Sequence, residues 1–343
     1  MNHKLTAQPA LIDPFGRTVN YLRISVTDRC NLRCVYCMAE DMTFLPRKQL
    51  LTLEEIEIVA KAFVGLGVNK IRLTGGEPMV RNGIVGLCKK LSSLNGLNEL
   101  VMTTNGVLLD QHANDLAKAG VKRLNISLDS LQAERVKQIS RHGQLADVLR
   151  GIEAAGKAGF ERIKLNVVVL AGVNDDEVND LAEFALVRGF DISFIEEMPL
   201  GEISSHKRKD TQVASLSLAQ RLAEKFDFEP ENEPAAKSNQ LSNKGPSRYQ
   251  KVSGYTGRIG FISPMTDNFC SRCNRVRLTS EGKLLLCLGN EHSMNLREIV
   301  RDNTNAEADL RVAIRDAITR KPEKHHFDAN KTDIVRFMNM TGG

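Results

Sequence analysis

The chain has 343 residues, of which 42% are hydrophobic and 26% charged, a balance that excludes disorder over most of its length. Its longest apolar run, Leu165–Val173, falls far short of the roughly 20 residues a membrane span needs, and the opening residues MNHKLTAQPALIDPFGR lack the apolar stretch of a secretory signal. A net charge of +5 suits an anionic small ligand and is too mild for nucleic acid, so a cytoplasmic protein with neither nucleic-acid nor membrane partners is expected.

From residue 20 to about 200 two periodicities alternate. Short β-branched runs at Tyr21–Val26, Lys70–Leu73, Glu99–Thr103, Arg123–Leu128, Ile163–Leu170 and Asp191–Met198 are separated by helical patterns such as LTLEEIEIVAKAFVGLG, with apolar residues at i, i+3 and i+4. Thr52 and Glu55 have the spacing of a capping box, and Gly65 or Gly67 supplies a stop. Six strand–helix units predict a parallel sheet with right-handed crossovers. Periodicity alone allows either a doubly wound sheet or an open barrel.

The strand faces favour the barrel. One face is apolar (Leu22, Ile24, Val26; Ile71, Leu73; Leu124, Ile126, Leu128; Leu165, Val167, Val169), and the other is polar (Arg23, Ser25; Lys70, Arg72, Thr74; Thr103, Asn105; Asn125, Ser127, Asp129; Lys164, Asn166). A parallel sheet is seldom exposed on one side, so the polar face is expected to line the interior of an incomplete, open parallel β/α barrel holding a polar ligand. The loops CNLRCVYC, TGGEP, TTNG, SLDS and EEMP fall at the carboxyl ends of these strands, where parallel α/β folds bind ligands.

After residue 200 the composition turns polar around a helix predicted at 216–225, and this reads as a linker or long loop. Short strands from 255, helices at 295–302 and 306–319, and a tail ending in Gly342 and Gly343 follow. The expected organisation is a barrel over 1–215, a smaller C-terminal domain over 216–320 and a tail over 321–343.

The seven cysteines are uneven: Cys30, Cys34 and Cys37 cluster early, Cys270, Cys273 and Cys287 late, and Cys88 stands alone as a core hydrophobe. Three thiolates in the Cys30-x3-Cys34-x2-Cys37 loop suit an iron–sulfur cube with one iron left open; zinc would want a fourth ligand, and none is nearby in sequence. Cys270-x2-Cys273-x13-Cys287 admits a second three-cysteine cube or, with His292, a zinc site. Arg275 and Arg277, alternating on a predicted strand, point one way, as anion ligands would.

The spacing of the first trio, with Tyr36 before its last cysteine, resembles the signature of the radical S-adenosylmethionine superfamily. Together with DPFGRTVNYLRISVTDRCNLRCVYCM, IRLTGGEP, LNISLDS, KLNVVV, FIEEMP, FCSRCNRVRLTSEGKLLLCL and the Gly-Gly end, it resembles the molybdenum-cofactor branch of that superfamily, the GTP 3′,8-cyclases. The resemblance implies a lyase with two 4Fe-4S clusters, one on Cys30, Cys34 and Cys37 with S-adenosylmethionine on its open iron, the other on Cys270, Cys273 and Cys287 holding the substrate purine. It implies that a 5′-deoxyadenosyl radical takes the 3′ hydrogen of GTP and that C3′ then joins C8, the first step of molybdopterin synthesis.

The same resemblance places S-adenosylmethionine contacts on Tyr36, Gly76, Ser127 and Met198. It places GTP contacts on Arg23, Arg72, Thr103, Lys164, Arg275, Val276 and Arg277, and puts Gly342 and Gly343 in the active site. The implied partners are GTP, an external electron donor and the next pathway enzyme, cyclic pyranopterin monophosphate synthase; oligomeric state is left open, a homodimer included. The rival readings are a radical peptide maturase, which would carry more late cysteines and a peptide-binding module, and a zinc-binding interaction protein. A nucleotide hydrolase lacks its phosphate loop here.

Overall fold

The computed structural model describes residues 10–201, 203, 206, 208–230, 245–302, 305–327 and 334–342. Six strands, β1 (Tyr21–Ser25), β2 (Lys70–Thr74), β3 (Glu99–Thr104), β4 (Arg123–Ser127), β5 (Arg162–Val169) and β6 (Asp191–Glu196), lie side by side in chain order and pair in parallel. Each connection carries helix: α1 (Leu53–Gly65), α2 (Ile84–Ser92), α3 (Leu109–Lys118), α4 (Ala133–Ser140) with α5 (Leu145–Lys157), and α6 (Val178–Leu186).

Local chemistry sets the boundaries. The Thr52 hydroxyl accepts the Glu55 N–H, and the Glu55 carboxylate accepts the Thr52 N–H at 2.7 Å, closing the capping box of α1. The helix ends at Leu66, followed by Gly67 at φ +93°, a conformation glycine adopts without strain. Leu22, Ile24, Ile71, Leu73, Leu124, Ile126, Leu165 and Val167 are buried against the helices in one core, each such side chain contributing roughly 1.5–3 kcal/mol. Cys88 lies in this core, fully buried. The apolar face therefore meets the helices, and the polar face is left to the interior.

The remainder of the chain continues the same sheet. After α7 (Arg208–Thr211) and α8 (Ser215–Ala223) come β7 (Arg248–Lys251), β8 (Arg258–Ile262), β9 (Arg275–Leu278), β10 (Lys283–Leu285) and β11 (Ser293–Asn295). β8 pairs in parallel with β6, and β9 pairs in parallel with β1. The full order is β11-β10-β9-β1-β2-β3-β4-β5-β6-β8-β7, with its ends unjoined among the described residues. The barrel is thus open, and the C-terminal segment flanks both of its edges. The helices predicted at 216–225, 295–302 and 306–319 correspond to α8, α9 (Leu296–Asp302) and α10 (Ala306–Ile318). Arg301 on α9 pairs with Glu55 at 2.6 Å, tying the late helices to the start of α1. A final turn, α11 (Met338–Thr341), carries the tail.

Candidate active site

The two cysteine trios sit at opposite ends of one strand pair. Cys30, Cys34 and Cys37 follow the carboxyl end of β1, while Cys270 and Cys273 precede the amino end of the adjacent parallel strand β9. The antiparallel strand β10 returns Cys287 to the same end. Five residues of extended chain set the two ends roughly 16 Å apart.

The first trio borders a cavity of about 190 Å³ together with Tyr36, Gly75, Gly76, Thr103, Ser127, Asp129 and Met198. Gly76 donates its N–H to the Thr27 carbonyl at 2.8 Å, and a Cβ on it would land on the Arg29 carbonyl oxygen; only glycine lets the TGGEP loop lie flush on the cysteine loop. The buried Glu77 carboxylate accepts N–H groups from Met79 and Asn105 and the Thr104 hydroxyl, locking that loop to the TTNG loop of β3. Tyr36 donates its hydroxyl to Asp129 at 2.6 Å, and Asp129 also accepts the Val168 N–H.

Burial pushes the Cys30 thiol up to about 11 and Cys37 up to about 12, and carries Cys34 well above its usual range. Such thiols become thiolates only when a cationic centre takes the proton's place. Among the described residues no three His, Cys, Asp or Glu side chains converge as ligands of a single metal ion, while these three thiols border one cavity. The donor set fits a three-cysteine iron–sulfur cube.

The second trio borders an adjoining cavity of about 160 Å³ with Arg23, Arg72, Lys164, Arg275, Arg277 and Phe269. Asn166, Ile195, Met198 and Met338 border both cavities, so the trios face one another across a continuous chamber. Burial pushes the Cys273 thiol up, but Arg275 and Lys321 outweigh it and leave the thiol below its usual range; burial raises Cys287. His292 is exposed and does not border this chamber, which overturns its place as a zinc ligand; the imidazole at the chamber is His325. Val276 borders the chamber, but its side chain is part of the hydrophobic core.

Between the trios lies a row of cations. Arg277, Arg23 and Arg72 are lateral neighbours on β9, β1 and β2. Arg72 donates to the Tyr21 hydroxyl at 2.5 Å and to the Thr103 hydroxyl at 2.9 Å. Lys164 donates to the Ser193 hydroxyl at 3.3 Å. Burial, followed by neighbouring cations, holds Arg23 well below its usual range and Arg277 at about 10; burial lowers Lys164. Burial would raise Tyr21, but Arg72, Arg23 and Lys70 drive it down to about 7. The Arg275 Nε is buried with no hydrogen-bond partner among the described residues. Stacked, dehydrated cations of this kind call for a polyanion. Arg72 and Lys164 also border a cavity of about 650 Å³ at the amino ends of the strands, with Lys70, Lys122, Arg123 and Arg162. The sequence reading considered only the carboxyl ends and missed it.

The tail enters the same site. The Met338 N–H donates to the Cys37 carbonyl at 3.3 Å, and the Asn339 amide donates to the Asp28 carbonyl at 2.8 Å. Arg277 donates to the carbonyls of Thr341 and Gly342. Gly342 has φ +73°, and a Cβ on it would collide with Cγ2 of Thr74. Gly343 lies outside the described residues.

Residues 24–185 match the Radical SAM superfamily, and residues 190–327 match Molybdenum Cofactor Synthesis C. The chain is 56% identical to the "GTP 3′,8-cyclase" of Pseudomonas syringae pv. syringae (strain B728a) over 98% of its own length and 100% of the relative's. It is also 56% identical to the protein of that name from Pseudomonas putida (strain W619), over 97% and 98%. The chain belongs to the GTP 3′,8-cyclase family. Among solved structures, Streptococcus suis SuiB bound to S-adenosylmethionine superposes with a TM-score of 0.57 at 14% identity, over 94% of this chain and 77% of that one, a likeness of fold alone. No helix of the described residues is long and apolar enough to cross a membrane. Within the family fold, sequence reasoning missed Asp129, which anchors Tyr36, and Lys321 beside Cys273. Asp129 was placed on the polar face but given no role of its own, and nothing in the sequence distinguishes Lys321 from a surface lysine.

Proposed function

We infer that this chain converts GTP to (8S)-3′,8-cyclo-7,8-dihydroguanosine 5′-triphosphate, the first step of molybdenum cofactor biosynthesis. The observation that carries the reading is the chamber itself: two cysteine trios facing each other across a row of buried arginines. Cys30, Cys34 and Cys37 would hold one 4Fe-4S cluster and Cys270, Cys273 and Cys287 the other. When bound, the first cluster and S-adenosylmethionine supply a 5′-deoxyadenosyl radical.

The chain's own residues then bind, orient and shield. Tyr36, fixed by Asp129, and the backbone at Gly76 shape the S-adenosylmethionine side, with Ser127 and Met198 beside them. Arg23, Arg72, Lys164, Arg275 and Arg277 bind the triphosphate, arginine forks matching phosphate oxygens in pairs. Thr103 receives the Arg72 guanidinium and directs it. The backbone at Val276 holds Arg275 and Arg277 on one face. The tail, through Gly342, closes the chamber against water, as radical chemistry requires. An external reductant and cyclic pyranopterin monophosphate synthase, which takes up the product, complete the partners.

The test is anaerobic turnover with GTP deuterated at C3′. Deuterium in 5′-deoxyadenosine, together with a cyclised triphosphate, is expected. Turnover that leaves the label in the nucleotide would overturn the reading.

A further inference from the structure

Lys321 follows α10 and is only 2% exposed. Its ammonium donates to the Leu286 carbonyl at 2.7 Å and lies 3.6 Å from the Cys273 sulfur. Among the described residues its hydrogen-bond partners are therefore a carbonyl oxygen and a cysteine sulfur. A buried ammonium is costly unless an anion compensates it. The nucleotide is poorly placed to be that anion: Arg275 and Arg277 border the chamber and Lys321 does not. Lys321 reaches the Cys273 sulfur without bordering the chamber. The negative group within its reach is the Cys273 thiolate.

The first trio has a different environment. The side-chain donors that meet its sulfurs are neutral, the Asn105 amide 3.8 Å from Cys30 and the Tyr36 hydroxyl at Cys34, while Arg33 and Arg208 act on Cys30 and Cys37 by charge without a hydrogen bond to the sulfur. Two carboxylates, the buried Glu77 and the partly buried Asp129, belong to the loops packed around it. One end of the chamber thus meets its sulfurs with neutral side-chain donors, and the other sets a buried ammonium directly against one of them.

We propose that Lys321 is a positioning residue that raises the reduction potential of the cluster held by Cys270, Cys273 and Cys287, acting through the Cys273 sulfur. The inference rests on the reading that this trio holds an iron–sulfur cluster. Adding an electron makes a cluster more negative, so a fixed positive charge and an N–H···S bond at its ligand favour the reduced form. Leu286, the other acceptor, immediately precedes Cys287, so the same side chain spans two ligand segments.

The experiment is a redox titration of the fully loaded protein followed by electron paramagnetic resonance. S-adenosylmethionine identifies the N-terminal signal by perturbing it. Three variants separate charge from shape: Lys321→Met, Lys321→Gln and Lys321→Arg. Met and Gln are expected to move the midpoint of the C-terminal signal to more negative values, with Arg restoring it and the N-terminal midpoint unchanged. If Met loses the cluster, Gln, which keeps an N–H donor, decides. Wild-type midpoints in Met and Gln proteins that still hold about eight irons, four per cube, would overturn the proposal. About four irons in the wild-type protein would instead overturn the underlying reading of the second trio.

Discussion

Arg23 on β1 and Arg277 on β9 are direct neighbours in parallel register. Strands in a sheet lie about 4.8 Å apart, and Arg72 continues the row on β2. Like charges side by side destabilise a sheet, more so when buried. This adjacency is electrostatically unfavourable, and on the proposed function a bound triphosphate would offset it. Arg72→Ala or Lys164→Ala is expected to weaken GTP binding by about 1.5–3 kcal/mol, the scale of a charge-assisted hydrogen bond, and to leave S-adenosylmethionine binding nearly unchanged. Calorimetry with each ligand checks this; equal losses of both would mean that these side chains hold the barrel together instead.

Iron content separates the two trios. Cys34→Ala and Cys273→Ala are each expected to lower bound iron from about eight to about four per chain. Cys88→Ala should leave it unchanged, since Cys88 sits in the core. Cys34→Ala should also abolish 5′-deoxyadenosine formation under strong reductant. Iron and sulfide analysis of anaerobically purified protein, run beside that assay, is the measurement.

Gly342 gives a steric test. Gly342→Ala places a methyl against Thr74 at a positive φ, so the tail is expected to undock. Cluster content and fold should persist while cyclised product falls at least tenfold. Hydrogen exchange over 334–342 reports the undocking directly. Adding Thr74→Ser removes the Cγ2 that the new methyl meets and should recover part of the product. Deleting Gly342 and Gly343 should mimic the single substitution, and full product yield from that truncation would reduce the tail to a passive end.

Glu77 predicts a pH dependence of stability. Burial raises its carboxyl from 4.5 to about 7 against the pull of its hydrogen bonds. Between these values the folded protein holds a proton that the unfolded chain has released, so stability falls as pH rises through that window and levels off above it. The effect amounts to roughly 3 kcal/mol at 1.36 kcal/mol per pH unit. Denaturant unfolding of wild type and Glu77→Gln from pH 4.5 to 8 should give a difference curve with that slope. A flat difference would show that Glu77 is ionised throughout.

What could be read in advance followed from local chemistry. Alternation alone places Leu22, Ile24 and Arg23 on their faces, because side-chain direction along a strand has a fixed period. Thr52 and Glu55 announced the start of α1 in the same way, and three cysteines in one loop announced a ligand set. The missing parts are those made by distant residues meeting. β8 and β9 join opposite edges of the core, and no local pattern in RIGFI or RVRL specifies the partner strand. Asn339 carries no assignable role in the sequence; the Asp28 carbonyl that it binds is 311 positions away. Lys321 gave no signal for the same reason.

The pairing of β9 with β1 and of β8 with β6 also bears on how the chain is made. A sheet made of the first six strands alone has two unsatisfied edges, and unpaired strand edges invite association with other chains. Both edges stay bare until residues 258–278 have been synthesised. During that interval the early cysteine loop hangs from an edge strand, and its partner at the other end of the chamber does not yet exist. A nascent chain stalled in the polar 200–250 stretch would be the form most prone to aggregate, and assembly of the first metal centre would best wait for the last third of the protein.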